Sequence, residues 1–285
     1  MKTPKALLPL VEDGIVDEVI SQLMSGKEAT VYVVRRGAEI CCAKVYKEAH
    51  KRSFKKAAQY QEGRKERNTR RARAMAKGSR LGREQLEETW QNAEVDALFK
   101  LAKAGVRVPE PYGCFDGVLL MELITDGDGG VAPRLSEITM SAEQAREDHE
   151  LMMHYVMRML CVGLIHGDLS EFNVLVDDYG PVIIDLPQAV DAAANNNART
   201  MLERDVRNMN LYYGQYAPEL LATRYAQEMW ALYEEGNLNP ELALTGHFEE
   251  ETGEVDLNAV MEEIRAALEE EERRKQYLLA EARGD

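Results

Sequence analysis

Apolar and polar positions along the chain divide it into a strand-rich first half and a helix-rich second half. Ile15, Val16, Val19, Ile20 and Leu23 share one face at helical spacing and predict a short helix over 13–23. Thr30 to Val34 and Ile40 to Tyr46 are β-rich runs either side of Arg36-Gly37, the pattern of a hairpin with Lys44 in mid-strand. Between 51 and 83 the apolar period fades. A helix is predicted over 84–104, with Leu86, Trp90, Ala93, Ala97, Leu98 and Leu101 on one side and Gly105 as its stop. Pro109 and Pro111 predict a loop, and Gly117 to Ile124 a buried strand ending in the acidic, glycine-rich stretch from Asp126 to Gly130. Ser141 with Gln144 suggests a capping box, followed by a broad stripe of Leu151, Met152, Tyr155, Val156, Met159 and Leu160 that stops at Gly163. Those methionines read as core packing. Further helices are predicted over 198–213, 218–235 and 256–282, and no internal repeat is visible.

The expected architecture is α+β and two-lobed. It has an arm (1–13), a strand-rich lobe (14–124) with a basic insertion at about 51–83, a helical lobe (125–245) and an acidic helical tail (246–285). At 285 residues the chain is long enough for both lobes to bury a core. No apolar run reaches the ~18 residues of a membrane span, so a cytoplasmic protein with no membrane partner is expected. Cys41, Cys42, Cys114 and Cys161 have neither disulfide nor zinc spacing, which fits a reducing compartment.

Charge changes the picture further. The net charge is −15, yet residues 51–83 hold thirteen Lys/Arg against two acids, so the rest of the chain carries −26. From Glu249 onward there are thirteen acids and five bases. An acidic body disfavours general nucleic-acid binding, whereas the basic segment can seek phosphate locally. Solvated faces would explain both segments equally well.

The chemistry lies in His166-Gly167-Asp168-Leu169-Ser170-Glu171-Phe172-Asn173 and in Val182-Ile183-Ile184-Asp185. An Asp and an Asn five positions apart, then an Asp ending an apolar run, supply one base and two metal ligands for phosphoryl transfer. That reaction asks mainly for positioning and charge neutralisation. The competing reading makes Asp168 and Asn173 turn caps and Asp185 a strand end. Upstream, backbone N–H groups around Gly26 can approach phosphates, and Lys44 can reach them if a carboxylate such as Glu94 holds it.

With G-K-E-A-x-V-Y at 26–32, the A-K-V-Y-K strand, the basic insertion, H-G-D-L-S-E-F-N and I-I-D-L-P-Q-A-V, the chain resembles the RIO family of atypical serine/threonine protein kinases over about 14–235. The resemblance implies a trimmed kinase fold: an antiparallel N-lobe sheet with an extra N-terminal helix, and a short helical C-lobe. It implies a phosphate loop of Ser25, Gly26, Lys27, Glu28 and Ala29, with Lys44 as the ATP lysine and Glu94 as its partner. Met121, Glu122 and Ile124 would form the adenine hinge. Asp168 would be the base, with Asn173 and Asp185 as Mg²⁺ ligands and Mn²⁺ as a substitute. It implies ATP as cofactor, serine kinase or ATPase activity with autophosphorylation, and an unidentified protein substrate, with an aspartyl phosphate at Asp185 in some members. RNA or a ribosomal particle is a further expected partner, through the basic insertion. Departures are the absence of G-x-G-x-x-G, of an Arg in His166-Gly167-Asp168, and of the usual Ser and Ala where Pro187 and Cys42 stand. Two alternatives remain open: a small-molecule phosphotransferase of the aminoglycoside or choline kinase type, which shares H-G-D-L, and an ATP-switched RNA-binding scaffold.

Overall fold

A computed structural model describes residues 3–26, 29–47 and 93–249; all but the last two belong to one unit ending at His247. The basic insertion, the start of the helix predicted from 84 and the helix predicted over 256–282 lie outside the described residues.

Five strands form one antiparallel sheet: β1 (Glu18–Ser25), β2 (Ala29–Arg36), β3 (Glu39–Tyr46), β4 (Pro111–Phe115) and β5 (Val118–Glu122), in the order β1-β2-β3-β5-β4. The predicted hairpin is β2–β3, and Arg36 pairs with Glu39 across Gly37-Ala38. Gly37 takes the positive φ (+60°) that primed hairpin turns need.

The helix predicted over 13–23 is corrected. Residues from Glu18 form strand β1, and helix α1 lies earlier, at Leu8–Glu12, after a 3₁₀ turn at Lys5–Leu7. Gly14, at φ +69°, ends any helix there. Of the supposed helical stripe, Val19 is buried but Ile20 is exposed. β-Branched residues on a half-buried pleat gave a helical spacing by coincidence. The arm is therefore helical from Lys5 to Glu12, and it buries Leu7 and Leu10 against Val34, Cys41, Ala43 and Leu120 on the outer sheet face. The loop predicted at Pro111 is also corrected. Pro111 opens edge strand β4, where a residue with no N–H to donate is tolerated.

Strand alternation sends Cys41, Ala43 and Val45 outward to that cluster, while Tyr46 and Met121 pack toward the larger core below. That core forms around α2 (helical at 93–103), α3 (Ala142–Cys161), α4 (Ala198–Tyr213) and α5 (Tyr225–Glu234). Met152, Met153, Met157 and Met159 are fully buried in it. Helix α3 begins as predicted, with Ser141 Oγ accepting the Gln144 N–H at 3.1 Å. The Gln144 side chain turns instead to Asp148, so only half the capping box forms. The helix predicted over 218–235 divides into a 3₁₀ turn (Pro218–Ala222) and α5. Short strands β6 (Leu164–Ile165), β7 (Val174–Asp177), β8 (Gly180–Ile183) and β9 (Val190–Asp191) lie between α3 and α4. Strand β6 pairs with β9, and β7 with β8. No helix among the described residues is long and apolar enough to cross a membrane.

Candidate active site

The centre of the site is Lys44. In β3 it pairs with Val31 on one side and Leu119 on the other, so its backbone is fixed by two neighbouring strands. Its Nζ donates to Glu94 Oε1 of α2 and, at 3.1 Å, to Asp185 Oδ1. Tyr46 Oη donates to the other Glu94 oxygen at 2.8 Å. Lys44 and Glu94 are buried, whereas the Asp185 side chain is 49% exposed. Burial by itself would lower the Lys44 pKa, but the charges of Glu94 and Asp185 outweigh it and raise it above the usual lysine value. Burial would likewise raise Asp185. Lys44, and beyond it Arg134, hold that carboxyl below its ordinary range instead. The pair therefore stays ionised through neutral pH.

Asp185 adopts φ +65°, a left-handed conformation that Asp tolerates better than most residues. It follows the β7–β8 hairpin, whose register explains its neighbours. Val174 pairs with Ile183, and the Ile184 N–H donates to the Asn173 carbonyl at 3.0 Å. Asn173 and Asp185 thus leave adjacent ends of one hairpin. Asn173 Nδ2 donates to the Asp168 carbonyl at 2.8 Å, which frees its own amide oxygen for another partner. Gln188 Nε2 donates to Asp168 Oδ2 at 3.2 Å, and Asp168 is exposed.

His166 is buried and structural. Its Nε2–H donates to the Ile184 carbonyl at 3.0 Å, so Nδ1 is the acceptor for the Asp168 N–H at 3.3 Å. One imidazole thereby joins the loop carrying Asp168 to the segment carrying Asp185.

Three residues that sequence reasoning missed hold this loop from below, all on α4. The Asp205 carboxylate accepts the Gly167 N–H at 2.7 Å and the Leu169 N–H at 3.1 Å. Arg204 donates to the Gly167 carbonyl, and Asn208 to the Leu169 carbonyl at 2.8 Å. Burial pushes the Asp205 carboxyl up to about 6, against the pull of the two N–H donors. A signal was present: Asp205 falls on the apolar stripe of Met201, Leu202, Val206 and Met209, where a carboxylate has no place without a partner.

The predicted phosphate loop joins β1 to β2. The Gly26 N–H donates to the Ala29 carbonyl at 2.9 Å, and Lys47 donates to Ser25 Oγ at 2.9 Å and to the Gly26 carbonyl. Lys27 and Glu28 lie outside the described residues. At the predicted hinge, Met121 and Glu122 end β5 and Ile124 follows. The Glu122 N–H donates to the Glu110 carbonyl at 2.8 Å, and the Ile124 carbonyl accepts from Ala132 at 3.0 Å. Behind it stands Arg107, also missed from sequence. Its guanidinium forks onto both Glu122 oxygens at 2.7 and 2.9 Å and reaches Asp177 at 2.8 Å. Cys42 lies on the same strand face as Lys44, and burial raises its thiol to about 12, so it stays protonated.

Residues 30–226 match the family model described as the RIO domain. The chain is 33% identical over 211 residues to the RIO-type serine/threonine-protein kinase Rio1 of Haloferax volcanii, covering 73% of this chain and 67% of that one. It is 30% identical over 225 residues to the serine/threonine-protein kinase RIO1 of Homo sapiens, covering 78% of this chain but only 38% of the human protein. A Rio1 of Thermoplasma acidophilum is 30% identical over 140 residues.

Proposed function

The chain belongs to the RIO family of serine/threonine-protein kinases, and on that premise we propose that its cleft binds ATP with Mg²⁺ and transfers the terminal phosphoryl group to a protein hydroxyl. The observation that carries this reading is the Lys44 ammonium, bonded at once to Glu94 and to Asp185. Through Asp185 it reaches the end of the hairpin from which Asn173 also leaves, the Ile184 N–H donating to the Asn173 carbonyl. The aminoglycoside or choline kinase alternative rested on H-G-D-L-x-x-x-N and the following I-I-D, and gives way to the family assignment.

Lys44 holds the α/β-phosphates, and its two carboxylate bonds fix where its charge sits. The Glu122 carbonyl and the Ile124 N–H would meet the adenine edge, while the Glu122 N–H and the Ile124 carbonyl bond within the protein. The donor set suits a hard cation: the freed Asn173 amide oxygen and the exposed Asp185 carboxylate would hold Mg²⁺, with Mn²⁺ as a substitute. When bound, that ion neutralises phosphate oxygens. Asp168, exposed and oriented by Gln188, takes the proton of the acceptor hydroxyl as its oxygen bonds to the γ-phosphorus and the bond to the ADP oxygen breaks. A second route puts the phosphoryl group on Asp185 itself. Its favouring observation is that Lys44 keeps this carboxylate ionised and half-exposed, as a nucleophile requires.

The test uses purified protein and ATP labelled in the γ-phosphate. Asp185→Ala is expected to abolish nucleotide turnover. Asp168→Ala should keep ATP binding and lose transfer by roughly 10²- to 10⁴-fold, the usual worth of a general base. Label that resists hydroxylamine identifies phosphoserine or phosphothreonine; label released by hydroxylamine identifies the acyl phosphate. Undiminished turnover in both variants would refute the assignment.

A further inference from the structure

The segment between β5 and α3 passes the cleft at Arg134, a residue to which the preceding mechanism gives no task. Its backbone is pinned: the Arg134 N–H donates to Glu137 Oε2 at 3.0 Å, the Val176 N–H donates to the Pro133 carbonyl at 3.0 Å, and Arg134 bridges Leu175 of β7. Its side chain is therefore launched from a fixed point beside the strand that follows Asn173.

The guanidinium spans the mouth of the cleft. One nitrogen donates to the Phe172 carbonyl at 2.5 Å and another approaches Met24 Sδ at 3.7 Å. Met24 immediately precedes Ser25 and Gly26 of the phosphate loop; Phe172 immediately precedes Asn173. Both flanking side chains are exposed. These partners are poor ones for a cation. A carbonyl is neutral, a thioether is a weak acceptor, and among the described residues no carboxylate lies within 4 Å of the guanidinium, although its charge reaches Asp185. A guanidinium has five donors in a planar fork suited to phosphate, and only two are engaged.

We propose that Arg134 binds the terminal phosphate of the nucleotide, exchanging its contact with Met24 for a phosphate oxygen. The inference rests on the ATP reading above, because it places the γ-phosphate between the phosphate loop and Asn173, which are the two elements Arg134 already touches. Arg134 gives up no proton and forms no covalent bond. It adds positive charge to the oxygens of the group in transit, opposite Lys44, and so distinguishes a nucleoside triphosphate from a diphosphate.

Titration calorimetry of the full-length protein with Mg-ATP and, separately, Mg-ADP tests this. Arg134→Met is expected to weaken ATP binding roughly 10- to 100-fold, as loss of charge-assisted hydrogen bonds implies, with ADP affinity changed by less than about threefold. Arg134→Lys, which keeps the charge and loses the fork, should fall between. The ATP-to-ADP affinity ratio can be read from that variant alone if the methionine variant does not fold. Equal weakening of both nucleotides, or an unchanged ratio, would mean that Arg134 only straps two loops together, and would overturn the proposal while leaving the ATP reading intact. A wild-type protein that takes up neither nucleotide would bring down both.

Discussion

Asp205 shows how much of this site depends on a side chain that touches no reactant. Its two oxygens satisfy the N–H groups of Gly167 and Leu169, which flank Asp168 on either side. Replacing it with Ala leaves two buried donors without an acceptor, at a cost of about 1–3 kcal/mol each, and lets the Asp168 loop drift. The same residue has a pH signature. Its carboxyl titrates at about 6 when folded, against an ordinary value of 3.8, so between those values the folded state holds a proton that the unfolded chain has released. Stability from this group is full below pH ~4 and is lost as pH rises through ~6, by an amount on the order of 3 kcal/mol. Urea unfolding followed from pH 4 to 7 should show this fall in wild type, partly masked by other carboxyls, and a shallower fall in Asp205→Asn. Identical slopes would remove Asp205 from the account.

Elements that declare themselves by periodicity were legible in the sequence: the β2–β3 hairpin, β5, α3 and α4 all lie where their apolar spacing puts them. Strand β1 and the short α1 were not. Five helical residues carry too little period to detect, and an edge strand with Val19 as its one buried residue shows no alternation to read. Strand β4 was hidden by the proline that opens it. The site divides in the same way. Lys44, Asp168, Asn173 and Asp185 lie in short motifs, and Glu94 follows from the helix after the lysine strand. Arg107, Arg204 and Asn208 act on backbone or side chains brought near only by the fold, and no local pattern announces them. Arg107 has a consequence at this scale. It joins the end of β5 to the end of β7, with the Asp177 side chain 5% exposed. Arg107→Met leaves that carboxylate buried and uncompensated, and such breakage costs ~3–5 kcal/mol when fully buried; the partial exposure of Arg107 itself reduces this. Because Glu122 loses its fork at the hinge, the KM for ATP should rise several-fold in Arg107→Met. The double variant Arg107→Met/Asp177→Asn should recover part of the lost thermal stability without recovering KM. Recovery of neither, or of both together, would deny Arg107 its separate roles in holding the lobes and positioning the hinge.

At the scale of the whole molecule the charge is divided rather than diffuse. A chain of net −15 should be repelled by nucleic acid, yet thirteen of its thirty-five cations fall between Lys51 and Arg83 beside only two acids. An insertion so biased, placed directly after the lysine strand, can be a solvated face, but it also concentrates positive charge that solubility does not require, since the remaining −26 already supplies it. We therefore propose RNA or a ribosomal particle as a partner engaged through this segment, with the nucleotide site as a switch rather than a reader. Phe54 and Tyr60 are the only aromatic residues in the segment, so attraction to phosphate dominates and little base preference is expected. Each phosphate neutralised lowers log affinity for a single strand by about 0.7 per unit of log salt. Deleting 64–80 removes eight Lys/Arg from the segment. Retention of a mixed-sequence single-stranded RNA should then fall sharply at low salt, and the salt slope should shrink by several units if most of those cations meet phosphates. ATP turnover without RNA should persist, because none of the residues bonded to Lys44 lies in the deletion. RNA retention that survives the deletion with its slope unchanged would place the contact elsewhere, and leave the basic segment as a solvated insertion.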